Sequence, residues 1–136
     1  MALPHRAPQF DTVLAPAELI TSVDLPPSPF AEHAHYLKVR ERASYAFALI
    51  SVAAAVSLRD GVVRQARLAL GGVAHKPWRM PAAEALLIGQ RLDNESMQRA
   101  ADTLLAGAVA LRDNAFKPEL ARRAVLRALR QAGSLT

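Results

Sequence analysis

Cysteine is absent from the 136 residues. The chain therefore supports no disulfide scaffold, no thiolate zinc site and no iron–sulfur cluster on sulfurs of its own. Compartment stays open, because a protein without thiols survives in any. Aromatic side chains are scarce, 5% against 51% hydrophobic overall, so a core must be assembled from alanine and aliphatic residues. Long apolar runs are missing too. The longest, Ala46 to Val56, is interrupted by Ser51 and falls short of the roughly 18 residues that a membrane-spanning helix needs. The opening MALPHRAPQF lacks the apolar stretch of a secretory signal. Any export is then expected to rely on a partner's signal. Motifs for catalysis are also wanting. No serine sits in G-x-S-x-G or S-x-x-K, no carboxylate pair is evident, and neither G-x-G-x-x-G nor a P-loop occurs. An enzyme acting alone is not expected.

What is present suits one domain. Seventeen basic residues face twelve acidic ones, a formal net charge of +5. Nucleic acid or an acidic partner surface must therefore be considered.

Residues 1–17 are rich in proline and alanine without a period and read as an irregular arm, leaving 18–136 as a single domain. Glu18 to Leu25 alternates, with Leu19, Thr21 and Val23 on one face and Ile20, Ser22 and Asp24 on the other. That suits a strand, ended by the prolines of PPSPF, residues 26–30. His35 to Arg40 suits a second, with Tyr36, Lys38 and Arg40 sharing a face; a turn or short helix follows around Ala43 to Phe47. Leu49–Leu58 and Val62–Leu70 flank Arg-Asp-Gly at 59–61, a strong hairpin signal. In the second arm Ala66, Leu68 and Leu70 face the core.

After Pro81 the period becomes helical. A short helix ends at Gly89, a longer one runs from Asn94 or Glu95 to Leu111 with Asn94 as its cap, and a last one runs from Pro118 to Gln131 with Gly133 closing it. Leu120, Val125, Leu126 and Leu129 form the last helix's apolar side. Strands followed by helices predict an α+β fold: an antiparallel sheet of three to four strands, then about three helices.

Four features bear on chemistry. His33 and His35 could offer two imidazoles to a metal, but no carboxylate pair completes a site and His5 and His75 are distant; they read as surface histidines. In LALGGVAHKPWR, residues 68–79, the glycines read as a corner where a strand leaves the sheet, not as a phosphate loop. Arg123, Arg127 and Arg130 give the last helix a basic face without interleaved aromatics, which suits solvent or an acidic partner better than nucleic acid. The stretch KVRERASYAFA packs Lys38, Arg40, Arg42 and Tyr45 just before the hairpin. Cations and a phenol there can face an electron-rich ring and stabilise negative charge on it. They can equally be the charged edge of a small sheet.

LKVRERASYAFALISVAAAV (37–56), RLALGGVAHKPWR (67–79) and NAFKPELARRAVLRAL (114–129) resemble the C-terminal domain of the FAD-binding medium subunit of the molybdenum hydroxylases. That family includes xanthine dehydrogenase, carbon monoxide dehydrogenase and aldehyde oxidoreductases of the subunit M type. DTVLAPAELITSVDLP (11–26) resembles the segment entering that domain. The resemblance implies a CO dehydrogenase flavoprotein C-terminal fold and a share in an FAD site. It implies partners too: a large subunit with molybdopterin, a small one with [2Fe–2S] clusters, and an FAD-binding N-terminal region whose pyrophosphate loops are not found in this sequence. The chain is then expected to be a fragment, an engineered domain or a truncated reading frame. It would bind FAD weakly or not at all alone, turn over nothing, and reside in the cytoplasm or, by co-export, the periplasm. By the same resemblance Lys38 matches a lysine close to the flavin ring. Arg42 matches a basic residue of that segment, and Tyr45 falls on the flavin-facing edge. Gly71 and Gly72 match the family's glycine pair, with His75 and Trp78 expected to pack against a neighbouring domain or subunit. The competing expectations are a stand-alone adaptor that binds an acidic protein or nucleic acid through Arg123, Arg127 and Arg130, and an inert remnant.

Overall fold

A computed structural model describes residues 9–10 and 12–134 of the chain. Most of the expected arm, residues 1–8 and 11, lies outside the described residues, as does His5. Among the described residues the elements are β1 (Ala34–Val39), β2 (Ile50–Arg59), β3 (Val62–Gly71), α1 (Pro81–Ala85), α2 (Asn94–Leu104) and α3 (Lys117–Ser134). A single 3₁₀ turn, Arg112–Asn114, precedes α3. The α+β expectation is met, with three strands in the antiparallel order β1-β2-β3.

The hairpin forms where local turn chemistry demands it. Asp60 and Gly61 both have positive φ, 55° and 75°, the geometry of the two-residue type I′ turn that matches strand twist. The register shifts beyond Ser57, so that Ser57 opposes Gln65 and Leu58 opposes Val63. Arg64 is the extra residue of the bulge, which lets Val63 and Ala66, three apart, both point into the core.

The core lies between one face of the sheet and the helices. Ile50, Val52, Ala54 and Val56 of β2 and Val63, Ala66, Leu68 and Leu70 of β3 are buried there. α3 lies across β2 and β1, and α1 packs on β3. α3 meets the sheet through Ala121, Ala124, Val125, Ala128, Leu129 and Ala132; alanines at this spacing let the helix sit close while branched side chains fill the gaps.

Several boundaries differ from expectation. Glu18 to Leu25 is not a strand: it pairs with nothing described, and Leu19, Ile20, Val23 and Leu25 are exposed. α2 is capped by Asp93, not Asn94. The Asp93 carboxylate accepts from Ser96 N at 2.9 Å while Ser96 Oγ lies 3.1 Å from Asp93 N and accepts from it, a reciprocal capping box. Ser96, through its amide first and its hydroxyl next, holds the Asp93 carboxyl below its usual range. α2 stops at Leu104, not Leu111, because the chain turns through Gly107 at φ +79°. Gly133 does not close α3, which runs to Ser134; a Cβ there would collide with the Leu92 side chain, so its smallness serves packing.

Candidate functional site

β1 alternates cleanly. His35, Leu37 and Val39 turn inward and are half-buried, while Ala34, Tyr36 and Lys38 lie on the outer, exposed face. The neighbours of Lys38 on that face are Ser51 of β2 and, beyond it, Gly71 of β3. Arg40 continues the exposed row, as expected. The chain then leaves the sheet in a loop, 40–49, whose ends are rejoined by Leu49 N donating to Val39 O at 2.9 Å.

Within that loop the guanidinium of Arg42 is already engaged. Nε donates to Ser44 O at 2.9 Å and Nη2 donates to Tyr45 O. Tyr45 has φ +51°, a left-handed conformation that a bulky residue adopts only when its surroundings impose it. The two Arg42 bonds supply that constraint. The result is a fixed loop that holds Tyr45 95% and Phe47 99% exposed. Phe47 carried no signal of its own in the sequence, being the start of an apolar run. The structure thus joins Arg42 to Tyr45, with Lys38 at the strand end that feeds them. Among the described residues the Lys38 ammonium and the Tyr45 hydroxyl have no hydrogen-bond or ion-pair partner.

The glycine pair answers to packing. A Cβ on Gly71 would strike the Ser51 side chain, and one on Gly72, at φ +77°, would lie 2.9 Å from Leu49 O. The space beside both is filled by the chain's own atoms, so the corner offers no phosphate cradle. Lys117 Nζ donates to Gly72 O at 3.0 Å and secures it to α3. Trp78, expected to turn to a neighbouring domain or subunit, has its polar groups engaged at home. Its backbone pairs with Leu70 in both directions, and its indole N–H donates to Leu104 O at 2.9 Å.

Sequence reasoning missed Glu84, the one charged side chain buried among the described residues. Its carboxylate accepts from Leu68 N at 3.0 Å and takes the Arg79 fork at 2.6 and 2.7 Å, with Arg67 at 3.7 Å. Burial pushes this carboxyl up, but Arg79, the Leu68 amide and Arg67 together outweigh it and hold it below the usual range. A lone acid among the apolar residues of a short helix, five residues after an arginine, was the available signal.

His33 Nδ1 lies 3.2 Å from Ala132 O and ties the approach to β1 onto α3. Among the described residues no three His, Asp or Glu side chains converge on a metal position, and no helix is long and apolar enough to cross a membrane. On α3 the basic face is partly spent within the chain: Arg123 pairs with Glu119 at 2.7 Å and Arg130 reaches Asn94 Oδ1 at 2.7 Å.

Among the described residues the arrangement is a three-stranded sheet under helices with an exposed cationic and aromatic loop at the end of β1. Residues 35–132 match the CO dehydrogenase flavoprotein C-terminal domain, and the chain belongs to that family. It is 47% identical to the aldehyde oxidoreductase FAD-binding subunit PaoB of Escherichia coli K12, over 95% of this chain and 37% of that protein. It is 33% identical to the glyceraldehyde dehydrogenase medium chain of Sulfolobus acidocaldarius, over 63% of this chain and 30% of that one. In three dimensions it matches carbon monoxide dehydrogenase of Hydrogenophaga pseudoflava with a TM-score of 0.70 and 30% identity, over 77% of this chain and 38% of that one. The enzyme of Oligotropha carboxidovorans shares the fold, with a TM-score of 0.72 over 84% of this chain and 40% of that one. The chain thus spans under two fifths of the curated relatives it matches.

Proposed function

We propose that this chain serves as the flavin-covering domain of a molybdenum-hydroxylase flavin subunit. It closes one side of the flavin site and docks to a molybdopterin-bearing large subunit and an iron–sulfur small subunit. Electrons then run from molybdenum through the clusters to FAD. The observation that carries this reading is the family match over 35–132, supported by a relative whose name specifies FAD binding.

The residues fit one part of the cofactor and not another. Lys38 and Tyr45 offer a charge and a hydroxyl to the edge of a flat ring, whereas the glycine corner has no room for a pyrophosphate. FAD would supply two-electron exchange with the final acceptor. Lys38 would place positive charge where the reduced ring carries negative charge, which favours reduction. Arg42 would act by fixing the loop, since its guanidinium is bonded to Ser44 and Tyr45. The phosphate end must be anchored by the flavin-holding portion that makes up the rest of its relatives. Compartment follows the partners: the cytoplasm, or the periplasm by joint export.

Titration of the 136-residue chain with FAD, followed by flavin fluorescence, tests the division of labour. No saturable quenching is expected; saturable binding at micromolar FAD or below would show that the chain holds more than half a site. In a reconstituted flavin subunit, Lys38→Ala is expected to make the flavin harder to reduce. An unchanged potential would remove Lys38 from the ring's surroundings.

A further inference from the structure

A groove of about 260 Å³ opens where β3 runs out, beside the end of α2 and the start of α3. Its walls are apolar, with Leu70, Trp78, Leu104, Val109 and Pro118 among them. Gly107 explains why the chain does not fill it. At φ +79° it turns the backbone out of α2. The residues that follow stay exposed instead of packing down, Val109 at 85%, Leu111 at 69% and Phe116 at 52%. Trp78 cannot swing in to close the groove either. Its indole N–H is held by Leu104 O and its backbone by Leu70, yet 38% of the residue remains exposed. An indole that is fixed and part-exposed is a preformed apolar wall.

Two residues of the lining, Asn114 and Lys117, bring polar side-chain groups still open to a ligand, and both bring donors. The Asn114 carbonyl oxygen accepts from Leu111 N at 2.6 Å, which leaves the amide NH₂. Lys117 Nζ gives one hydrogen to Gly72 O at 3.0 Å and keeps two. Among the described residues no other partner takes them, and no acidic side chain lines the groove. A cation and an amide donor set in apolar walls, without a counter-charge, call for an anion with an apolar body. One cation matches one negative charge, which favours a carboxylate over a phosphate. The volume sets the size: the groove falls just under the roughly 300–1,000 Å³ of sites that take drug-sized ligands, so its occupant is small.

The geometry points to a binding site for a small monocarboxylate with an apolar tail. The tail lies against Trp78, Leu104 and Val109, and the carboxylate accepts from Lys117 and Asn114. The site goes beyond the flavin reading. It uses none of Lys38, Arg42 and Tyr45, and it would stand if that reading fell.

Trp78 is the chain's only tryptophan and lines the groove, so its emission reports occupancy directly. The test titrates the 136-residue chain at neutral pH with hexanoate, which absorbs none of the exciting light. Butyrate and the neutral hexanamide are run beside it. The expected result is a saturable change in Trp78 emission with hexanoate in the millimolar range. Butyrate should bind about tenfold more weakly for its two missing methylenes, and hexanamide about fivefold more weakly for its missing charge. Lys117→Met should abolish the preference for hexanoate while keeping the affinity for hexanamide. That variant also loses the tie to Gly72, so Val109→Asp, at an exposed position, supplies an independent reading: it should weaken hexanoate far more than hexanamide. No saturation by hexanoate well past the millimolar range overturns the site. Hexanamide bound as tightly as hexanoate, or an acid preference untouched in Lys117→Met and in Val109→Asp, overturns the carboxylate. Emission that changes on dilution of the chain, with no hexanoate present, assigns the groove to a second copy and overturns the inference.

Discussion

Along the outer edge of β3 the backbone finds partners at each step. Gly89 N reaches Val63 O at 2.8 Å, Val63 N reaches Gln90 O at 2.9 Å, Arg67 Nη1 reaches Ala66 O at 2.7 Å, Leu68 N reaches Glu84 and Leu70 exchanges bonds with Trp78. On the β1 side, His33 O accepts from Val56 N of β2 and Val39 O from Leu49 N just ahead of it, and β1 is the edge strand with no neighbouring strand on its far side among the described residues. The β3 side is finished within the chain. The β1 side carries the exposed cations and the Arg42-held loop. On the proposed function, stability and flavin contact would lie on opposite flanks of one sheet, and substitutions on each should separate them.

The contrast breaks first, and most strongly, in the core under β3. Leu68→Ala is expected to cost about 3 kcal/mol, the usual toll of a fully buried leucine, read as a lower urea midpoint at unchanged slope. Glu84→Ala comes next, at about 2 kcal/mol, because it strands the Leu68 amide. The remaining Arg79 is half-exposed and regains water. The same carboxylate predicts a pH dependence. Its folded pKa lies below its unfolded one, so its contribution is present in full above the unfolded carboxyl range and is lost as pH falls through the folded value. Urea midpoints of parent and Glu84→Ala should converge in acid; a constant gap down to the lowest pH would contradict the ion pair. Smallest of all, Tyr36→Thr on β1 is expected to shift stability by no more than about 0.5 kcal/mol. A large loss there would mean that the outer face is part of the fold after all.

Local chemistry was the legible part. Asp60-Gly61 announced the hairpin, the alternation of 66, 68 and 70 named the buried face, and Pro118 placed the start of α3 within a residue. Helix ends were harder, because apolar spacing continues to Leu111 while Gly107 turns the chain away. Gly133 looks like a stop yet is needed by Leu92. The 18–25 segment alternates like a strand yet forms none, since periodicity reports which residues want burial and not whether an edge is there to pair with. Lys38, Arg42 and Tyr45 stood out as a cluster. That Arg42 would spend its guanidinium on the loop, and that Phe47 would be thrust out beside Tyr45, depends on a left-handed φ that no spacing reveals.

The sealed edge of β3 also sets a valency. A sheet with two bare edges can recruit neighbours in both directions and grow without limit, which is the route to fibres. Here Trp78, Glu84 and the 89–91 segment occupy one direction. Edge-to-edge growth through this sheet can therefore happen only once, at β1, and then terminates. By strand addition, then, this sheet can take one neighbour and no chain of them.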